Sequence, residues 1–102
     1  MITDNGVCNY LDCSTTHITE EDDDFLTDES LDTRQPTLIV ERTSYGYWLH
    51  ALDSLELEEA TEKGSLSKNI ITILTKANQM KCFWIKLDND GFVHDDLPKY
   101  DW

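Results

Sequence analysis

The longest hydrophobic pattern in the chain predicts one amphipathic helix that leads directly into one buried strand. Gly64 ends the preceding segment, and either Ser65 or Ser67 is suited to cap the first turn of the helix. Residues 82–87 then alternate between the two faces of a strand. We therefore expect residues 65–81 to form the core helix. Its apolar stripe consists of Leu66, Ile70, Ile73, Leu74, Ala77 and Met80.

Other periodic segments supply three strands and a second helix. Residues 7–13, 37–43 and 45–52 are predicted strands, and residues 19–31 are a predicted acidic helix. Thr19 and Asp22 match a capping box at the start of that helix. Residues 53–63 fit either a short helix, with Asp53 and Glu56 as a capping box, or a loop.

The predicted elements run β-α-β-β-α-β, which is typical of a two-layer α+β domain. We expect a mostly antiparallel four-stranded sheet with two helices on one face. Both a ferredoxin-like strand order and a different order of the same strands fit this pattern. The core prediction names helix residues Ile70, Ile73, Leu74 and Ala77, packed on Ile39 or its neighbour Val40, Leu49, Phe83 and Ile85.

Length and cysteine content set the domain organisation and the compartment. A chain of 102 residues favours a single domain over residues 1–102, with residues 1–6 frayed. The first residues lack the basic end and apolar run of a signal peptide, and no apolar stretch reaches the roughly 20 residues that span a bilayer. The three cysteines are an odd number. We therefore expect a cytoplasmic protein with free thiols.

Acidic residues are concentrated in the first third of the chain. The net charge is −13, and residues 1–33 contain 10 of the 21 acidic residues but no Lys or Arg. Such a field repels phosphates and anionic membranes and attracts basic surfaces. The sequence therefore disfavours direct nucleic acid or membrane binding and predicts a basic protein partner. The candidate partner-binding residues are Glu20, Glu21, Asp22, Asp23, Asp24, Asp28 and Glu29.

No combination of residues predicts a catalytic site, a metal site or a cofactor. Cys8, Cys13 and His17 fit no common zinc spacing, and strand alternation sends the two thiols to opposite faces. A turn is a better interpretation of residues 88–91 than a calcium loop, because Lys86 would occupy the first ligand position. The sequence therefore predicts a protein that is not an enzyme.

Four side chains fall on the sheet face opposite the predicted helices: Tyr10, Trp48, His50 and Trp84. Exposed aromatic residues surrounded by charge often mark interfaces, so this face is a possible aromatic interface. The alternative is that the C-terminal residues Tyr100 and Trp102 cover it.

Three parts of the chain resemble a family of small, uncharacterised proteins of bacterial mobile elements and prophages. They are residues 11–18, the central Tyr45-Gly46-Tyr47, and residues 88–91 together with the closing 96–102. That family has no assigned activity, so the resemblance implies no catalytic residue. It implies a context, because such genes often travel with counter-defence functions. The acidic first third is a departure from the family.

The leading hypothesis is a non-enzymatic acidic protein that binds a basic, nucleic-acid-handling host protein such as a nuclease, as a nucleic acid mimic. A merely solvated acidic face is the alternative interpretation of the same charges. Two other hypotheses belong to different classes. One is a small ligand-binding domain or enzyme that uses the aromatic sheet face, and the other is an antitoxin-like regulatory subunit.

Overall fold

Four strands and three helices make up the part of the chain that the computed structural model describes, residues 6–31 and 37–102. The predicted fraying at residues 1–6 therefore falls largely outside the described residues. A short 3-10 turn, Thr15–His17, links the first strand to the first helix. In chain order the elements are β1 (Tyr10–Ser14), α1 (Glu20–Leu31), β2 (Val40–Arg42), β3 (Gly46–His50), α2 (Ser54–Lys63), α3 (Lys68–Gln79) and β4 (Trp84–Asp88).

The strands form one sheet in the order β1-β4-β3-β2. β4 pairs parallel with β1 and antiparallel with β3, and β3 pairs antiparallel with β2. The predicted α+β class with a mostly antiparallel four-stranded sheet is confirmed. The strand order is not the ferredoxin-like one, because β1 and β2, which α1 connects, lie at opposite edges with two strands between them.

Helix α3 supplies the central part of the core, as its apolar stripe predicts. Ile70, Ile73, Leu74 and Ala77 are all buried in one cluster with Leu49 and Ile85 of the sheet. Val40, rather than Ile39, faces this cluster, because its register partner on β3 is the inward-facing Leu49. Phe83, which the core prediction also named, is only partly buried and is not part of this cluster; it lies in the connection before β4, outside the regular alternation of the strand.

Local capping decides where the helices begin. Ser67 caps α3 by accepting a hydrogen bond from the amide of Ile70, so the helix begins at Lys68, within the predicted range 65–81. Residues 54–63 form a third helix, which the sequence left open between helix and loop. The Asp53 carboxylate accepts from the amide of Glu56, and Gly64 ends α2 in the left-handed conformation. Three helices rather than two are therefore present.

Gly46 is required because β3 and β4 approach each other closely at this position. Its φ is not positive, but a Cβ at this position would collide with the backbone carbonyl of Leu87 on β4. The close approach of β3 to β4, and not a left-handed turn, therefore excludes a side chain here.

The C-terminal segment covers the free edge of β1 and the 3-10 turn. The amide of Ser14 donates to the carbonyl of Phe92, and the Asp12 carbonyl lies 2.7 Å from Nε2 of His94. These bonds occupy backbone groups that an edge strand would otherwise expose. No helix among the described residues is long and apolar enough to cross a membrane.

Candidate functional site

Helix α1 carries the predicted acidic surface on its solvent side. Its sequence, residues 20–31, contains seven acids and no base. Four of these side chains are exposed: Glu20, Glu21, Asp24 and Asp28. The single ion pair among residues 6–31 and 37–102 joins Lys76 to Asp96, so none of the four is neutralised by a described base. This outward set is called the α1 acidic face below.

The other three predicted acids are bound within the fold. Asp22 is 3% exposed, and its Oδ2 accepts from the amide of Thr19 and from Nδ2 of Asn69 at 3.0 and 3.2 Å. The amide of Asp22 in turn donates to Oγ1 of Thr19, which completes a reciprocal cap. In the sequence, the Thr19-x-x-Asp22 pattern indicated that this carboxylate would cap the first turn of α1.

Asp23 and Glu29 fix α1 against β3 and against the residues before β2. Oδ1 of Asp23 accepts from the Tyr47 hydroxyl at 2.7 Å, and Oε1 of Glu29 accepts from the amide of Leu38 at 2.9 Å. Burial raises the pKa of Tyr47, and the neighbouring Asp23 carboxylate adds to that rise. No local pattern predicted either contact, because the partners lie 24 and 9 positions away.

The predicted aromatic side chains come together on the sheet face opposite the helices. The ring centroids of Tyr10 and Trp48 are 5.1 Å apart, those of Trp48 and Trp84 are 6.3 Å apart, and those of His50 and Trp84 are 5.1 Å apart. All three pairs meet edge to face, the arrangement that ring quadrupoles favour. The four residues therefore form one continuous aromatic cluster.

The C-terminal aromatic residues lie elsewhere. The hydroxyl of Tyr100 donates to Oδ1 of Asn69 on α3, and Nε1 of Trp102 donates to the carbonyl of Ile18 beside α1. Tyr10 is 52% exposed. The alternative in which Tyr100 and Trp102 cover the aromatic cluster is therefore wrong.

The acidic face and the aromatic cluster lie on opposite sides of the sheet. Helix α1 packs on the inward sheet face, where Leu26 is fully buried and Asp23 reaches the inward-facing Tyr47. The side chains of Trp48 and Trp84 point the other way, because strand neighbours alternate between faces. A flat partner surface can contact one of these two regions but not both.

The buried side chains of Cys13 and His17, in and next to β1, are held within the fold. Burial raises the pKa of Cys13 to about 12, so its thiol stays protonated at neutral pH. The ring of His17 is fully buried; Nε2 accepts from the amide of His94, and Nδ1 lies 2.7 Å from the Pro98 carbonyl. Burial lowers the pKa of His17, and these two bonds fit a neutral ring that donates from Nδ1.

Metal ligation finds no support in the same region. Among residues 6–31 and 37–102, no three His, Cys, Asp or Glu side chains are grouped closely enough to hold a metal ion. Cys8 is exposed while Cys13 and His17 are buried, so these three possible ligands occupy different environments. Cys8 lies before β1, so only Cys13 takes part in the alternation of that strand.

Comparison with known proteins gives a family but no activity. No curated protein and no solved structure matches the chain. A family model described as the C-terminal domain of a family of unknown function, DUF5983, matches residues 10–102, which include every strand and helix described above. The chain therefore belongs to this uncharacterised family, DUF5983, through its C-terminal domain.

Proposed function

We propose that this protein is a non-enzymatic interaction protein that binds a basic, nucleic-acid-handling host protein. The observation that supports it is the α1 acidic face, four exposed carboxylates on a helix without a base. A charge of −13 on 102 residues steers basic partners toward the protein and repels nucleic acid itself. A nuclease is the first partner to test.

The geometry of α1 supports a mimic that resembles nucleic acid in the sign and density of its charge. Glu20, Asp24 and Asp28 are spaced four residues apart, so they follow one another along one side of the helix at steps of about 6 Å. This spacing is wider than the phosphate rise of about 3.4 Å along a DNA strand. The proposal therefore does not require each carboxylate to occupy a phosphate position.

The proposed context is counter-defence in the cytoplasm of a bacterial host. The resemblance to proteins of mobile elements supports the counter-defence role. The free thiols of Cys8, Cys13 and Cys82 suit a reducing compartment. An antitoxin-like pairing would use the same surface, and identification of the partner distinguishes the two.

The experiment begins with capture of a partner by the tagged full-length chain, followed by affinity measurements over a range of salt. One variant removes the row on α1 by the changes Glu20→Gln, Asp24→Asn and Asp28→Asn. Its matched control carries Glu58→Gln, Glu59→Gln and Glu62→Gln on the exposed side of α2. Both variants lose three negative charges, so they have the same net charge.

We expect the α1 variant to lose about tenfold or more in affinity and to show a shallower salt dependence, while the α2 variant stays close to the parent. Equal losses in both variants would mean that only the net charge matters. A partner whose binding ignores both salt and the α1 changes would refute the proposal.

A further inference from the structure

A shallow hollow of about 320 Å³ lies on the open side of the sheet, within the aromatic cluster. It spans all four strands, because Tyr10 is in β1, Glu41 in β2, Trp48 in β3 and Trp84 in β4. The residues that line it are Cys8, Asn9, Tyr10, Glu41, Trp48 and Trp84. The helices lie on the other side of the sheet, so no described element of the chain covers this hollow.

The three rings that line the hollow are set at large angles to one another. The planes of Tyr10 and Trp48 meet at 71°, and those of Trp48 and Trp84 meet at 87°. Aromatic rings carry negative potential on their faces, and Trp provides the strongest attraction for a cation placed over it. Several rings set at large angles around one small space form the kind of cage that holds an organic cation.

Glu41 is the only charged residue in the lining among the residues that the structure describes. It lies on β2 directly beside Trp48 in the register of the sheet, and no ion pair joins it to a base among the described residues. The nearest base in the register is Lys86, which lies outside the lining and is flanked by Asp12 on β1 and Trp48 on β3. The hollow therefore combines aromatic rings with one carboxylate that forms no ion pair with a described base.

We propose that this hollow binds a guanidinium group, supplied by an arginine side chain of the basic partner. A guanidinium is planar, stacks on aromatic rings and forms two parallel hydrogen bonds to a carboxylate, so it matches Trp48, Trp84 and Glu41 better than a compact ammonium does. A second copy of this chain is disfavoured as the occupant, because each copy carries a charge of −13.

The inference rests on the proposed function only for the source of the arginine. The hollow and the α1 acidic face lie on opposite sides of the sheet, so each can be changed without altering the other. The partner would therefore hold the protein through a second contact, of different chemistry from the charge attraction at α1, made by a part of the partner that extends around the sheet rather than by one flat surface.

The test uses N-acetyl-arginine N-methylamide as the probe and the matching citrulline amide, which has the same shape without the charge, as its control. Indole N–H signals of the ¹⁵N-labelled full chain are followed by NMR during titration. Trp102 is an internal reference, because its indole is bonded to Ile18 away from the hollow. We expect saturable shifts in the millimolar range at Trp48 and Trp84, and none at Trp102.

Glu41→Gln is the main variant, since this exposed residue at the sheet edge can change without loss of the fold. It should weaken binding of the arginine probe at least about fivefold, and Trp48→Leu should abolish it. Absence of saturable shifts, equal shifts with the citrulline amide, or full affinity in Glu41→Gln would each overturn the inference. Glu20→Gln/Asp24→Asn/Asp28→Asn should bind the probe like the parent, whether or not it still binds the partner.

Discussion

Replacing Asp22 with alanine is expected to destabilise the protein by about 2–3 kcal/mol, although Asp22 stands in a run of five acids. Its carboxylate accepts two hydrogen bonds, from the Thr19 amide and from Asn69 of α3. A hydrogen bond to a charged group contributes about 1.5 kcal/mol or more, so the two together give about 3 kcal/mol. Alanine recovers roughly 0.5 kcal/mol through its higher helix propensity.

The matched control is Asp24→Ala, two positions further along the same helix. Asp24 is exposed, and its side chain is not part of the cap. Its replacement should change the free energy of unfolding by no more than about 0.5 kcal/mol, or increase it by easing repulsion among the acids. The same charge is lost in both variants, so the difference between them isolates the hydrogen bonds of Asp22.

Urea unfolding followed by circular dichroism measures both variants. We expect Asp22→Ala to lower the unfolding midpoint with an unchanged denaturant slope, and to lower the melting temperature by roughly 10–20 °C. If Asp22→Ala and Asp24→Ala unfold at the same urea concentration, the cap and the contact with Asn69 do not stabilise the fold. Asp22 would then belong with the solvated acids of α1.

Three further predictions concern the core, the sheet and pH. Leu74→Ala should cost about 2–5 kcal/mol in unfolding free energy, because a fully buried side chain leaves a cavity; a parent-like melt would contradict this. Gly46→Ala should cost more than about 2 kcal/mol, because its Cβ would collide with the Leu87 carbonyl, and denaturant titration measures the loss. His17 has a lowered folded-state pKa, so between that pKa and pH about 6.5 the unfolded chain binds up to one more proton than the folded protein. The free energy of unfolding should therefore fall by up to about 1.4 kcal/mol per pH unit on acidification, and more steeply than in His17→Asn. Urea titrations at several pH values measure it, and the same pH dependence in both proteins would refute this prediction.

Local sequence patterns were sufficient for the elements and for most of the core. The α3 stripe is long and regular, so its buried residues follow from helical spacing alone. Strand alternation placed Leu49 and Ile85 inward and Trp48 and Trp84 outward, because successive side chains must point to opposite faces. The helix caps of α1 and α2 could also be predicted from the sequence, because each joins two residues only three positions apart.

The roles of the α1 acids required the tertiary structure. Apart from the exposed terminal Leu31, Phe25 and Leu26 are the only strongly apolar residues of α1, so its pattern does not define which side faces the core. The contacts of Asp23 with Tyr47 and of Glu29 with Leu38 fix that orientation through partners elsewhere in the chain. Seven equivalent-looking carboxylates are thereby divided into four that face solvent and three that hold the fold together.

Strand order was likewise decided only by contacts between distant residues. The sequence predicts four strands, but pairing depends on hydrogen bonds between segments as far apart as β1 and β4, and several orders bury the same apolar faces. The aromatic hollow depends on that order, because β4 lies between β1 and β3 and sets Trp84 beside both Tyr10 and Trp48. Alternation by itself determined that these rings share a face, and the order of the strands determined that they touch.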